Sequence, residues 1–198
     1  MRSRLLACLV PLCLALTLMR PAAALPEAGL DLSAREVKAV EQGEVVVRLR
    51  NTHESTLKDV LCVGLVKASA DRVWNVLIDY DRYDKIFKGI LKTDTRSKEG
   101  PVEDHYSLLD YPWPMTDRWV VNRITHAADK RSITWHRVEG TVKEVVGSWH
   151  LVPDGDETLV IYKVRLDPGI PLIPAWAIDW GTQRVAPDII HALRRQLR

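Results

Sequence analysis

The sequence has little cysteine and almost no phenylalanine. Three cysteines occur among 198 residues, and two of them, Cys8 and Cys13, lie in an apolar N-terminal stretch. Without that stretch only Cys62 remains, which excludes an intrachain disulfide and a cysteine metal cluster. A single phenylalanine stands beside seven tryptophans and five tyrosines. Most aromatic rings therefore carry a polar edge that needs a partner when it is buried, which suits the wall of a wet cavity.

Motifs for nucleotide, metal and nucleophilic chemistry are also missing. There is no glycine-rich phosphate loop, and Ser148 lacks the second glycine of a nucleophile elbow. The acidic run 79–84 lacks the glycine and the twelfth acid of a calcium loop. The six histidines form no i, i+4 pair, and we expect hydrogen-bonded or surface positions for them: His53, His105, His126, His136, His150 and His191. We predict no metal, no cofactor and no catalytic residue.

Charge does not favour nucleic acid as a partner. The formal net charge is +2, but three of the 28 basic residues, Arg2, Arg4 and Arg20, precede residue 25. The remaining 25 basic residues are matched by 26 acidic residues, so residues 25–198 have a formal net charge of −1. A strongly basic face is therefore not implied.

The N-terminus has the three parts of a secretory signal peptide. Arg2 and Arg4 precede an apolar run from Leu5 to Leu18, and Ala22-Ala23-Ala24 fits the small-x-small cleavage pattern. A membrane anchor is the alternative, but the run is shorter than the ~20 residues that span a bilayer. A lipid-modified Cys13 is a third alternative, which bulky Leu12 disfavours. We predict cleavage near Ala24 and a periplasmic or secreted protein.

The rest of the chain follows one order of strands and helices. Ser33 and Glu36 form a capping box at the start of a short helix, which we interpret as a preamble outside the domain core. Two strands at 44–49 and 57–67 precede an amphipathic helix that opens at Ser69. Six extended segments separated by turns then predict an antiparallel meander: 90–97, 103–111, 117–127, 132–139, 142–152 and 158–166. A long helix from about 175 to 197, interrupted by Pro187, ends the chain.

Three stretches resemble the helix-grip superfamily of StAR-related lipid transfer (START) domains, aromatic polyketide cyclases and coenzyme Q-binding proteins, known as SRPBCC. Residues 66–83 resemble its opening strand and tryptophan-bearing helix, and residues 111–118 resemble the Pro-aromatic-Pro turn of START domains. Gly147-Ser148-Trp149-His150-Leu151, followed by Tyr162 and Asp167-Pro168-Gly169, resembles bacterial cyclase/dehydrase-like members. The resemblance implies an α+β, helix-grip fold, in which a curved antiparallel β-sheet wraps around a long C-terminal helix and leaves a hydrophobic cavity.

The resemblance also divides the chain. It covers residues 57–198, which we interpret as a START-like domain. Residues 1–24 are then a signal peptide, and residues 25–56 are an N-terminal helix and strand extension.

Candidate ligand-binding residues are mostly aromatic. Ordinary core filling explains many of the rings, Trp74 and Trp135 first among them. Arg118 and Arg123 lie five residues apart on one strand and must face opposite sides, and we prefer Arg118 because it follows the Pro-Trp-Pro turn. The predicted cavity set is Trp113, Arg118, Trp119, Trp149, Tyr162, Trp176, Trp180, Tyr80 and Tyr83.

These features favour binding, with possible transport, of a lipid or other hydrophobic molecule, such as a sterol-like compound, a quinone or a phospholipid. The nearly apolar link 169–178 suggests transient membrane contact or a lid hinge, unless it is a buried crossover. Two alternatives stay open. One is an enzyme of the cyclase or dehydrase type that acts on a hydrophobic substrate, and the other is a structural envelope module whose own tryptophans fill the cavity.

Overall fold

The computed structural model describes residues 30–51, 57–111, 116–170 and 174–198. The helices are α1 (Ala34–Glu41), α2 (Ala70–Leu77), α3 (Tyr83–Ile86) and α4 (Ala175–Gln196), with a 3-10 turn at Tyr80–Arg82. The strands are β1 (Val46–Arg50), β2 (Asp59–Val66), β3 (Ile90–Glu99), β4 (Val102–Leu109), β5 (Arg118–His126), β6 (Ser132–Gly140), β7 (Glu144–Asp154) and β8 (Glu157–Asp167).

All eight strands belong to one curved antiparallel sheet in the order β1-β2-β8-β7-β6-β5-β4-β3. Strands β3 to β8 follow one another as neighbours, because short turns suffice between antiparallel strands. The chain closes this arrangement by pairing β8 with β2, in a register that sets Tyr162 opposite Cys62. The six predicted meander strands and the helix-grip α+β fold are thereby confirmed.

Helix α1 covers the outer face of the sheet. The capping box predicted at Ser33 and Glu36 is present, and Glu36 also pairs with Arg48 of β1. Val40 is fully buried against Leu61 and Leu159, whose side chains point away from α4. The prediction that this helix lies outside the core is wrong, because β1, β2 and β8 expose an apolar outer face that α1 buries.

Helix α4 covers the concave face. A hydrogen bond of 3.5 Å from the Cys62 thiol to the Ala186 carbonyl marks its contact with β2. A Cβ atom on Gly64 would lie 3.0 Å from Ile190, so the absence of a side chain at Gly64 lets the helix approach the strand closely. Ile190 and Leu193 are fully buried there, and the helix continues through Pro187 without a break.

Among the described residues, no helix is both long enough and apolar enough to cross a membrane.

Candidate ligand site on the concave face

Strand alternation decides which side chains face α4. On β5 the even-numbered residues face inward, since Ile124 belongs to the main core and His126 contacts Tyr80. The register carries this face across the sheet, pairing His105 of β4 with Asn122 and Asn122 with Arg137 of β6. Two groups of side chains on this concave face are described below by their residues, an aromatic patch and a polar patch.

The aromatic patch consists of Trp135, Trp149 and Tyr162 on β6, β7 and β8. The ring centroids of Trp149 and Tyr162 lie 4.4 Å apart, and those of Trp135 and Tyr162 lie 5.8 Å apart. A Cβ atom on Gly147 would lie 2.3 Å from Cζ2 of Trp135, so the indole lies flat across the glycine. Trp149 is buried, but Trp135 and Tyr162 stay half-buried although they face the helix side. Helix α4 therefore does not close-pack over the whole patch.

The polar patch adjoins the aromatic patch on β4, β5 and β6. It consists of His105, Arg118, Asn122 and Arg137. One atom of each side chain is buried without a hydrogen-bond partner among the described residues: His105 Nε2, Arg118 Nε, Asn122 Oδ1 and Arg137 Nε. Buried polar atoms without partners are costly, and such atoms indicate a site for water or a ligand.

The two arginines of the polar patch have no carboxylate partner in the part of the chain that the structure describes. Arg137 donates one hydrogen bond of 2.8 Å to the Gly140 carbonyl. Gly140 pairs with Val120 of β5, so this bond directs the guanidinium group toward the part of β5 near Val120. Arg118 lies two residues before Val120 on the same face. Burial raises the pKa of Tyr111 to about 12, and the charge of Arg118 opposes this rise. The charge of Asp167, which pairs with Lys143, acts on Tyr111 in the opposite direction to that of Arg118.

A second polar group lies nearer the turn at Tyr80–Arg82. His126 Nε2 lies 2.8 Å from the Tyr80 hydroxyl and 3.5 Å from Oε1 of the buried Glu103. The Tyr83 hydroxyl donates a hydrogen bond of 2.6 Å to the Leu77 carbonyl. Burial raises the pKa of Tyr80 and of Tyr83, so both phenols stay protonated as hydrogen-bond donors. Tyr80 belongs to the main core, and Tyr83 packs against it.

Not all predicted site residues meet on this face. Trp119 lies on the outer face, where its ring packs 5.9 Å from that of Tyr106, because neighbours on a strand point to opposite sides. It therefore cannot line the concave face with Arg118. Trp176 and Trp180 are 71% and 59% exposed on the first turns of α4. Trp113 lies outside the described residues, as do residues 171–173 of the apolar link.

The two arginines of β5 do face opposite sides, as the spacing predicts. Arg123 is exposed on the outer face, where it makes two hydrogen bonds of 2.8 Å to Asp104. Trp74 is buried in the main core, also as predicted. Trp135 packs against that core but forms part of the aromatic patch as well.

Sequence reasoning missed His105, Asn122 and Arg137 as site residues. Polar side chains at every second position of a strand usually mark its solvent face, and nothing local shows that these point inward. The signal that could have found them is the pairing of β4, β5 and β6, which sets the three side chains in one row across the sheet.

Comparison with known proteins agrees with this architecture. The family model described as polyketide cyclase / dehydrase and lipid transport matches residues 66–194. The chain therefore belongs to this family, and the predicted START and cyclase membership is confirmed. An uncharacterized protein of Pseudomonas aeruginosa is 29% identical over 151 residues, covering 70% of this chain and 74% of the relative.

The solved structures that resemble this chain include START proteins and an aromatase/cyclase. The STAR-related lipid transfer protein of Xanthomonas axonopodis is 25% identical, with a TM-score of 0.65 over 78% of this chain and 93% of that one. Human STARD10 is 16% identical, with a TM-score of 0.63 over 76% and 68% of the two chains. The Zhui aromatase/cyclase of Streptomyces sp. R1128 is 21% identical, with a TM-score of 0.58 over 71% and 95%. The last two likenesses concern the fold alone.

Proposed function

We propose that this protein binds a lipid or another hydrophobic small molecule between α4 and the concave face of the sheet. The observation that carries the proposal is the half-buried aromatic patch beside buried polar atoms without partners. Binding sites for small molecules are mostly apolar with a few placed polar groups, and this surface has that composition. Membership of a family with lipid-transport members supports the same reading.

The aromatic patch gives the proposal a direct test. We expect Trp135→Ala to weaken the binding of an 18-carbon fatty ligand by about 1 to 3 kcal/mol, because a ring in contact with the chain contributes through its apolar area. The affinity is measured by titration with a fluorescent fatty-acid analogue. The signal is the fluorescence of the probe, so the measurement does not depend on the indole that the substitution removes. An unchanged affinity, with the fold intact by circular dichroism, would contradict the assignment of the ligand to this patch.

Transient membrane contact belongs to the same proposal. Trp176 and Trp180 are exposed four residues apart on α4, and the Arg184 guanidinium lies 5.2 Å from the centroid of the Trp180 ring. Tryptophan and arginine at one helix surface suit the lipid–water interface. The double variant Trp176→Ala/Trp180→Ala should keep its affinity for free ligand in the same titration, where it serves as the control. In a separate sedimentation assay it should no longer bind anionic vesicles. Loss of free-ligand affinity instead would place these rings in the binding site.

An enzyme of the cyclase or dehydrase type is the second candidate function, favoured by the contact of His126 with Tyr80 and Glu103. Chromatography with mass spectrometry of the co-purified molecule separates the two roles. A carrier should return its ligand with unchanged mass and retention time after incubation. A dehydrase would return it lighter by one water, and a cyclase would return an isomer of equal mass with a different retention time. A protein that binds no hydrophobic molecule of any class would favour a structural envelope module.

Export is the remaining part of the proposal. The arginines, the apolar run and the alanines of residues 1–24 support a signal peptide and a periplasmic or secreted location. Edman sequencing of the protein recovered from the periplasm or the medium is expected to begin at Leu25. Recovery of Met1, or of a lipid on Cys13, would contradict it.

A further inference from the structure

This inference rests on the proposed binding of a hydrophobic molecule to the concave face, and it concerns the charge of that molecule's head group. We infer that this head is anionic, a carboxylate or a phosphate monoester, and that it carries no ammonium group. Arg118 and Arg137 supply the positive charge, and His105 and Asn122 lie in the same cross-strand row as Arg137.

The guanidinium groups of Arg118 and Arg137 are the source of positive charge in the polar patch. Each is half-buried on the concave face, and each has a buried Nε without a partner among the described residues. A buried guanidinium nitrogen without a hydrogen-bond partner is unfavourable, and carboxylate or phosphate oxygens match the fork of donors that an arginine presents. A neutral head, such as an alcohol or an ester, would leave two positive charges uncompensated.

The position of Arg137 links this charge to the aromatic patch. Trp135 and Arg137 are successive inward-facing residues of β6, and the ring of Trp135 stacks on that of Tyr162 on β8. An aliphatic chain that lies along the aromatic patch therefore ends at the guanidinium of Arg137. His105, in the same cross-strand row as Arg137, can donate from Nε2 in the tautomer whose Nδ1 accepts from the Thr95 hydroxyl, 3.4 Å away.

Acidic side chains are scarce on the part of the concave face that holds Arg118 and Arg137, which disfavours a zwitterionic head. On the described concave faces of β5 to β8, the inward positions hold no aspartate or glutamate. Glu103 of β4 does face inward, 3.4 Å from Lys98 and 3.5 Å from His126, and its Oε1 is buried without a hydrogen-bond partner among the described residues. It lies opposite Ile124, six residues along β5 from Arg118. An ammonium group beside Arg118 and Arg137 would meet repulsion from both guanidinium groups. The site thus selects against choline and ethanolamine heads.

The test uses four probes that share one oleoyl or oleyl chain: oleate, oleoyl-lysophosphatidic acid, oleyl alcohol and oleoyl-lysophosphatidylcholine. Delipidated protein is titrated at pH 8 and low salt, below the critical micelle concentration of each probe, by isothermal calorimetry. We expect at least one of the two anionic probes to bind ten-fold or more tightly than the alcohol and the choline lipid. The tighter of the two anionic probes distinguishes a carboxylate source from a phosphate source.

Charge-neutral variants locate the effect. Arg118→Gln and Arg137→Gln should each lower the affinity for the preferred anion at least five-fold and leave the affinity for oleyl alcohol within two-fold. Arg123→Gln is the matched control, because Arg123 lies on the same strand as Arg118 but pairs with Asp104 on the outer face. Circular dichroism of each variant checks that it folds.

The outcomes separate this inference from the proposed function. Equal binding of oleyl alcohol and the anions, tighter binding of the choline lipid, or parental affinity in both arginine variants would overturn the anionic head while hydrophobic binding stands. Failure of all four probes to bind would overturn both the inference and the proposed function.

Discussion

Replacing Leu193 by alanine is expected to lower the free energy of unfolding by about 2 to 5 kcal/mol. Leu193 is fully buried where α4 packs on the concave face, in the cluster that includes Val66, Leu77 and Ile190. Truncation removes buried apolar area and leaves a cavity that a helix fixed along its length can fill only in part. The loss is large beside the 5 to 15 kcal/mol that is typical for a whole domain.

Val185→Ala is the matched control on the same helix. Val185 is 59% exposed, so its truncation should change stability by no more than about 0.5 kcal/mol. Urea denaturation followed by tryptophan fluorescence measures both variants. If Leu193→Ala costs less than about 1 kcal/mol, the packing of α4 on the sheet described above is incorrect.

The sequence predicts the fold well because periodicity and turns are local signals. The turn residues between the six meander strands are specific enough to place each strand to within a few residues, as at Ser132–Gly140 and Glu157–Asp167. The position of α1 was not predictable in the same way. Val37 and Val40 show that the helix has an apolar side, but only the pairing of β1 with β2 and β8 reveals an outer face to receive it.

The site was harder to predict than the fold, because it depends on which face of each strand turns inward. Arg118 and Trp119 are neighbours, so at most one of them could line the concave face, and the pattern of β5 alone does not identify which. Register resolves this, since Arg118 pairs with Leu109 on the face that includes His105. Trp135 presented the opposite difficulty. Its flat position over Gly147 comes from a cross-strand pair, which joins residues twelve positions apart.

His105 connects the site to the pH dependence of stability. Burial lowers the pKa of His105 from 6.5 to about 4, with Asp81 and Asp94 opposing the shift only in part. Because the pKa in the folded state lies below that of the unfolded chain, the unfolded state binds the extra proton first as the pH falls. The stability that neutral His105 permits is therefore fully present above pH 6.5 and is lost progressively toward pH 4.

Between pH 7 and pH 4.5 this loss is expected to be about 2 kcal/mol, because the pKa of a side chain that is 2% exposed falls from 6.5 to about 4 on folding. His126 contributes in the same direction, because burial lowers its pKa too. Urea denaturation of the parent and of His105→Gln at pH 7 and pH 4.5 measures the effect, and the variant should lose less stability between the two pH values. His136→Gln, which alters an exposed histidine on the outer face of β6, should keep the parental loss. Equal losses in the parent and in His105→Gln would mean that this imidazole is not buried on the concave face, and the polar patch would then lose its member on β4.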